Sequence, residues 1–192
     1  QPVTARFISR TRLNGAGSEK HTFHIEIDLG GTGIEYEVGD SLGIFPKNDP
    51  LLADTIIAAI DVPPDFPIAG EPLREVLIDR TSLGAAPDAL FQFISYLTGG
   101  ERRRKAQALA KGEDPDGDAA QLDVLAALEK FPGIRPDPEA LIEVLEPLQP
   151  RLYSISSSPK TNADRVSLTV DTVRYHALGR ERLGVASTFL GG

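Results

Sequence analysis

The hydropathy of this chain changes period twice, and that change constrains its fold more than any other feature. Between residues 3 and 45, apolar side chains recur at every second position. Phe23, Ile25, Ile27 and Leu29 interleave with His24, Glu26 and Asp28, the pattern of a strand with one buried face. Residues 3–13 and 41–45 also read as extended, and Gly30-Gly31-Thr32-Gly33 is the kind of turn that separates strands. From residue 50 to residue 148 the period lengthens. Asn48-Asp49-Pro50 supplies an N-cap and a proline for the first helical position, and Leu52, Ile56, Ile57, Ala59 and Ile60 follow at helical spacing. Asp137-Pro138 repeats that start ahead of Leu141, Ile142, Val144, Leu145 and Leu148, and 73–79, 87–98, 101–111 and 120–131 read as further helices. At Arg151 the shorter period returns in RLYSISSS and then in VSLTVDTVRY, where Val166, Leu168 and Val170 alternate with Ser167, Thr169 and Asp171. The predicted class is α+β, mainly β with a helical insertion: an antiparallel barrel interrupted by an α-helical block.

Composition narrows the function classes. The chain has 192 residues, 41% of them apolar, enough to bury a core slightly larger than one typical domain needs. A formal net charge of −8 argues against a general role in neutralising nucleic-acid phosphates. The absence of cysteine excludes a disulfide framework, thiolate zinc sites, iron–sulfur ligation and cysteine nucleophiles. No apolar run reaches the length of a membrane span, and the start, QPVTARFISR, lacks the apolar centre of a secretory signal, so a cytoplasmic location is expected. The chain begins with Gln1, contains no methionine and stops at Gly191-Gly192 as a new element opens; it reads as a piece of something longer.

Four candidate sites carry less than they first suggest. His21 and His24 lie three apart on an extended run and point to opposite faces, so they do not form a metal pair, and no metal is expected. GEDPDGDAAQLD places Asp114, Asp116 and Asp118 at alternating positions like a calcium loop, but Ala119 stands where glycine is required and Leu125 where the bidentate glutamate belongs. A solvated loop between helices is the better reading. Arg102-Arg103-Arg104-Lys105 reads as a solvated helix start, with docking of an acidic electron-transfer partner as the sharper alternative. The serines of RLYSISSSP stand in no G-x-S-x-G elbow and have no histidine base.

The guanidinium at the head of that run suggests a different chemistry. Arg151 offers a rigid fork to a phosphate or pyrophosphate, and Tyr153, two residues on, points to the same face of the strand. An anion clamp beside an aromatic plane suits a flat heterocycle carrying phosphates. Hydroxyls on both faces of a strand mark either solvent exposure or a polar ligand lying along it. Further on, Gly184-Val185-Ala186-Ser187-Thr188 reads as small residues opening a helix, where exposed amides bind phosphate; an ordinary cap at Ser187 is the alternative.

Together these stretches resemble a known family. RLYSISSSP resembles the R-x-Y-S flavin motif of the ferredoxin-reductase-like superfamily, and GVAST resembles the pyrophosphate motif of its NADPH-dependent dual-flavin reductase branch. Tyr36-Glu37-Val38-Gly39-Asp40, continuing to Pro46 and Asn48, is similar to that branch's Y-x-x-G-D-x-x-x-x-x-P-x-N segment, which leads into a helical connecting domain. The similarity covers nearly the whole chain with the motifs in order, and is strongest in character to sulfite reductase flavoprotein subunits. It implies a Greek-key FAD-binding barrel formed by residues 1–48 and 149–192, truncated before its last strand, with the connecting domain at 49–148.

For individual residues, the resemblance implies that Arg151 pairs with the FAD pyrophosphate, Tyr153 packs on the isoalloxazine, and Ser154 hydrogen-bonds near flavin N5 as the catalytic residue. Backbone around Thr169 and Asp171 would meet the pyrimidine edge. Tyr175 belongs to the same cofactor-binding set, and Gly184, Val185, Ala186 and Ser187 would cradle the pyrophosphate. Asp171 departs from the small or apolar residue expected there; a backbone contact makes this harmless, whereas a carboxylate facing the ring would disfavour anionic reduced flavin. NADPH and FMN are expected on domains absent from this chain. The implied partners are therefore an NADPH-binding domain and an FMN-binding flavodoxin-like domain or other one-electron acceptor, with no nucleic acid and no membrane. The implied activity is an oxidoreductase that takes hydride from NADPH onto FAD and passes single electrons on, in sulfite reduction; the isolated piece is expected to be inactive with NADPH. The reductase portion of an assimilatory nitrate reductase and a non-catalytic docking scaffold are the alternatives.

Overall fold

Strands, helices and strands follow one another as the hydropathy periods require. The computed structural model describes residues 2–15, 18, 21–172, 174–177 and 180–183. Strands β1 (Arg6–Arg12), β2 (Thr22–Asp28) and β3 (Ser41–Ile44) come first, then helix α1 (Pro50–Ile60) and the short strands β4 (Pro67–Ile68) and β5 (Glu71–Pro72). Helices α2 (Leu73–Asp79), α3 (Asp88–Leu97), α4 (Gly100–Leu109), α5 (Val124–Lys130) and α6 (Pro138–Val144) follow. Strands β6 (Arg151–Ser154), β7 (Arg165–Asp171), β8 (Arg174–Ala177) and β9 (Arg180–Leu183) come next. Two units result: one comprises the strands up to Pro46 and most of the chain from Pro150 onward, the other Lys47–Gln149 together with Ala177–Arg180.

In the strand unit, β1, β2 and β7 form an antiparallel sheet in that order. Phe23 lies opposite Val170, Ile25 opposite Leu168 and Ile27 opposite Val166, so the apolar residues of both strands share one face. Ile25, Ile27, Val166, Leu168 and Val170 are buried together with Leu29 and Tyr36. β1 is an edge strand bulged between Phe7 and Ser9, and polar contacts tie it to β2: Arg6 to Asp28 at 2.9 Å, Ser9 Oγ to Glu26 at 2.7 Å, and the Arg10 guanidinium 5.2 Å from the Phe23 ring centre. The Gly30 N–H, and then Arg6, hold the Asp28 carboxyl below its ordinary pKa. β3 pairs with β6, Leu42 opposite Tyr153 and Ser41 opposite Ser154. A single bridge, Ile155 to Leu168, joins this pair to β7. Among the described residues these strands do not close into a barrel.

The helical unit starts as its sequence predicts. Asp49, Asp123 and Asp137 each occupy an N-cap and accept a backbone N–H, from Leu51 at 2.9 Å, Ala126 at 2.8 Å and Ala140 at 3.0 Å. The spacing of Ala53, Ile56, Ile57 and Ile60 puts one face of α1 into a core shared with Leu73, Leu77, Leu90, Ile94, Val124, Phe131 and Leu141. Burying each large apolar side chain of this set contributes about 1.5–3 kcal/mol before entropy is counted. No helix among the described residues is long and apolar enough to cross a membrane.

One buried amide anchors the entry to this unit. Asn48, 2% exposed, donates its side-chain N–H groups to the carbonyls of Leu77 at 2.7 Å and Thr81 at 2.6 Å, while its backbone N–H reaches Ile78 O at 2.9 Å. The last carbonyls of a helix have no intrahelical donor, and Asn48 supplies two of those missing at the end of α2. The exit of the unit is tied to the same stretch: Leu148 N–H donates to Arg80 O at 2.7 Å, Ser82 N–H to Glu146 O at 2.8 Å, and Thr81 bridges Pro147. Asn48→Ala is expected to destabilise the protein by about 2–4 kcal/mol. Asn48→Asp should cost more, because it sets a carboxylate against two carbonyl oxygens. Thermal or denaturant unfolding of both variants checks this, and losses below about 1 kcal/mol in both would mean the clamp is idle.

Candidate functional site

β6 carries the residues that the sequence marks most strongly. It pairs with β3 over its whole length, and strand alternation puts Arg151 and Tyr153 on one face. Tyr153 is half-buried against the apolar cluster of the strand unit, alongside Leu42 and Ile44. Burial raises its phenol pKa, while the Arg151 charge opposes the shift, so the ring stays neutral at physiological pH. Arg151 is exposed, and among the described residues no carboxylate pairs with it. Ile155 bridges Leu168, so the preceding residue, Ser154, falls on the opposite face, the one that carries Thr169 and Asp171. Ser154 is exposed.

The remaining predicted residues divide. Thr169 and Asp171 are exposed on β7, and the Asp171 carboxylate accepts a hydrogen bond from the Thr22 hydroxyl on β2. Tyr175 sits in β8, its side chain outside the described residues, as are Gly184, Val185, Ala186 and Ser187 altogether. Two serines of RLYSISSSP are not free for a ligand. Ser156 donates from both its N–H, at 2.8 Å, and its Oγ, at 3.0 Å, to Ser167 O, and Ser157 Oγ accepts from Ser167 N–H at 2.9 Å.

Sequence reasoning missed the segment that holds these serines. Tyr36, 8% exposed, donates its hydroxyl to Arg165 O at 2.7 Å and lies 3.0 Å from Ser157 Oγ. Asp40 O accepts the Ile155 N–H at 2.9 Å. The turn between them requires Gly39, whose φ of 101° lies where only glycine is at ease. The available signal is the Y-x-x-G-D pattern itself, Tyr36 to Asp40.

Several charged groups elsewhere are engaged within the helical unit. The acidic loop is neutralised from within: Asp116 pairs with Lys105 and Lys130, each at 2.8 Å, and Asp118 with Lys130 at 2.7 Å. Asp114 accepts the N–H groups of Asp118 and Ala119 at 2.9 and 3.1 Å. In the basic run Arg103 Nε donates to the carbonyls of Ser95 and Thr98 at 3.1 and 2.9 Å and Arg102 to Pro132 O at 2.6 Å, while Arg102, Arg103 and Arg104 all stay exposed. Among the described residues no group of three histidine, cysteine, aspartate or glutamate side chains comes together to hold a metal. A cleft of about 280 Å³ in the helical unit is lined by Ile68, Val76, Ile142 and Leu145 beside the Arg80–Glu71 ion pair, and holds none of the predicted site residues.

The profile of the family described as FAD binding domain matches residues 1–127 and 84–189. The chain belongs to this family. It is 34% identical to the sulfite reductase (NADPH) flavoprotein alpha-component of Bacillus subtilis (strain 168) over 192 residues, 97% of this chain and 32% of that protein. Identity to the proteins of the same name is 37% for Klebsiella pneumoniae subsp. pneumoniae and 36% for Escherichia coli O157:H7, each over 98% of this chain and 32% of theirs. The chain thus spans about a third of the length of these relatives. FAD is the cofactor of the FAD binding domain family, and the donor set on β6 fits it: an uncommitted guanidinium for a pyrophosphate, a half-buried aromatic ring, and an exposed hydroxyl at the strand end.

The acidic loop yields a test with a sign. Hydrogen bonds from Lys105 and then Lys130 lower the Asp116 pKa. Burial disfavours the charge on Lys130, but its bonds to Asp116 and Asp118 outweigh this and raise its pKa. A depressed carboxylate stabilises above its unfolded pKa of about 4 and ceases to do so as pH falls through the folded value. Asp116→Asn is therefore expected to lower the melting temperature at pH 7 by roughly 1–4 °C, with the difference shrinking in acid, at pH values below the ordinary carboxylate pKa of about 4, as Asp116 takes up its proton. Melting curves at pH 7 and in acid check this; an undiminished gap in acid would remove charge as its source.

Proposed function

We propose that this chain is the FAD-binding and connecting portion of an NADPH-dependent flavoprotein reductase, one that takes hydride from NADPH onto FAD and passes single electrons to FMN or another acceptor in sulfite reduction. Within it, residues 1–48 and 149–192 belong to a Greek-key FAD-binding barrel and residues 49–148 to the helical connecting domain. The single observation that carries the reading is the uncommitted Arg151 guanidinium on β6, two residues from Tyr153, in a chain of the FAD binding domain family. Most other arginines of the described residues have a carboxylate or carbonyl partner, among them Arg6, Arg74, Arg80, Arg102, Arg103 and Arg135. A free fork beside an aromatic ring suits an anion attached to a planar group.

In this reading Arg151 holds the pyrophosphate and Tyr153 packs on the ring. Ser154 donates its hydroxyl near the hydride-accepting nitrogen, and strand backbone at Thr169 and Asp171 meets the pyrimidine edge. Tyr175 and Gly184, Val185, Ala186 and Ser187 complete the cofactor contacts. Bound FAD supplies the hydride-accepting and one-electron chemistry, while the protein's residues bind and orient it. NADPH and FMN belong to other domains of the intact reductase, which are the working partners, and the protein acts in the cytoplasm.

Arg151→Ala is expected to weaken FAD binding by roughly tenfold or more, the value of a charge-assisted hydrogen bond, and to leave riboflavin, which has no phosphate, nearly unaffected. Titration of the chain with each flavin, followed by absorbance, decides; equal losses would take the pyrophosphate away from Arg151. In the full-length reductase, Ser154→Ala should slow flavin reduction by NADPH by roughly 10–100-fold at unchanged flavin content. Stopped-flow reduction at the native rate would remove Ser154 from the chemistry.

A further inference from the structure

We infer that Tyr36 is a positioning residue for the flavin site, acting through a directed chain of hydroxyls that fixes the end of β6; the inference rests on the proposed role of β6 in holding FAD. The carbonyl of Arg165 can only accept, so the Tyr36 hydroxyl donates to it, at 2.7 Å. With that proton committed, the 3.0 Å contact between Tyr36 and Ser157 has one arrangement: Ser157 donates and Tyr36 accepts. Ser157 Oγ keeps a lone pair for the Ser167 N–H at 2.9 Å. The chain of donors therefore starts on β7 at Ser167, passes through Ser157 and Tyr36, and returns to β7 at Arg165. Each link polarises the next, and removing one leaves part-buried polar groups unpaired.

A second grip lies beside the first. The turn from Tyr36 to Asp40 is closed by Asp40 N–H to Glu37 O at 3.1 Å and Glu37 N–H to Asp40 Oδ2 at 2.8 Å, and it presents Asp40 O to the Ile155 N–H at 2.9 Å. One short segment thus holds Ile155 through its backbone and Ser157 through a hydroxyl 121 positions away. Ser154, next in line and paired with Ser41, cannot shift without breaking one of these bonds. Tyr36 touches the flavin site only through this bracket.

The test uses the chain loaded with FAD. Tyr36→Phe keeps the ring in the apolar cluster and removes only the hydroxyl. It is expected to raise the FAD Kd by roughly fivefold to tenfold and to shift the shape of the flavin absorption bands and the flavin midpoint potential, at a cost of roughly 2–6 °C in melting temperature. Ser157→Ala, which leaves the aromatic core intact, should show the same spectral shift, and Ser157→Thr, which keeps the hydroxyl, should restore the native spectrum. The double variant Tyr36→Phe with Ser157→Ala should be no worse than either single one, because the hydroxyls act as a unit. Native affinity, bands and potential in Tyr36→Phe and Ser157→Ala, with Arg151→Ala still weakening FAD, would overturn the positioning role and leave the flavin reading intact. A chain that takes up no FAD, or an Arg151→Ala variant that binds it normally, would overturn the flavin reading and this inference with it.

Discussion

Three residues, Ile155 to Ser157, make one unit out of two small sheets. A two-stranded pair such as β3 with β6 is at best marginal on its own in water, and the three-stranded sheet β1-β2-β7 ends in an open edge at β7. The Ile155–Leu168 bridge and the bonds of Ser156 and Ser157 to Ser167 fasten the pair to that edge at a single point. The residues on either side of this seam are the ones proposed to meet the cofactor. A ligand strand placed next to such a seam inherits its rigidity, which a binding constellation needs if its groups are to stay within a fraction of an ångström of their working positions.

The helical unit shows a different economy. Its cores and caps follow local rules, and most of its charges are paired close by: Lys105 and Lys130 with the acidic loop, Arg74 with Asp54 at 2.7 Å, Lys47 with Asp79 at 2.9 Å. Exposed pairs of this kind add little stability each. What sets Arg151 apart from other exposed arginines without a carboxylate partner among the described residues, such as Arg12 and Arg104, is its place on a strand two residues from a half-buried tyrosine.

What the sequence disclosed followed range. Period-two and helical patterns placed β2, β7, α1 and α2 closely because each depends on neighbours a few positions away, and Asp49 and Asp137 announced their helices for the same reason. The serines of RLYSISSSP read alike in sequence yet separate in space, Ser154 exposed and Ser156 and Ser157 bonded to β7. Nothing local distinguishes them, since their partners lie at Ser167 and at Tyr36. The spacing of the acidic loop departs from a calcium loop in the sequence, but the pairing of its Asp116 and Asp118 with Lys105 and Lys130 depends on how helices meet. Arg102 and Arg103 likewise found carbonyls that only packing delivers. The barrel expected from the alternating strands is not closed among the described residues, because closure depends on pairings between distant edges that hydropathy does not specify.

Both ends of the helical unit are tied to the same few residues at the end of α2: Asn48 to Leu77, Ile78 and Thr81, and Leu148 to Arg80. This matters for the order of assembly. Pairing β3 with β6 in an otherwise unfolded chain means closing a loop of roughly a hundred residues, whereas once the helices have formed and drawn their two ends together the effective loop is only a handful, which lowers the entropy of closure by roughly 2–3 kcal/mol. The helical block, contiguous in sequence and rich in local contacts, folds readily by itself in this scheme. It then acts as an internal template that presents Arg151 and Tyr153 to the strand they pair with.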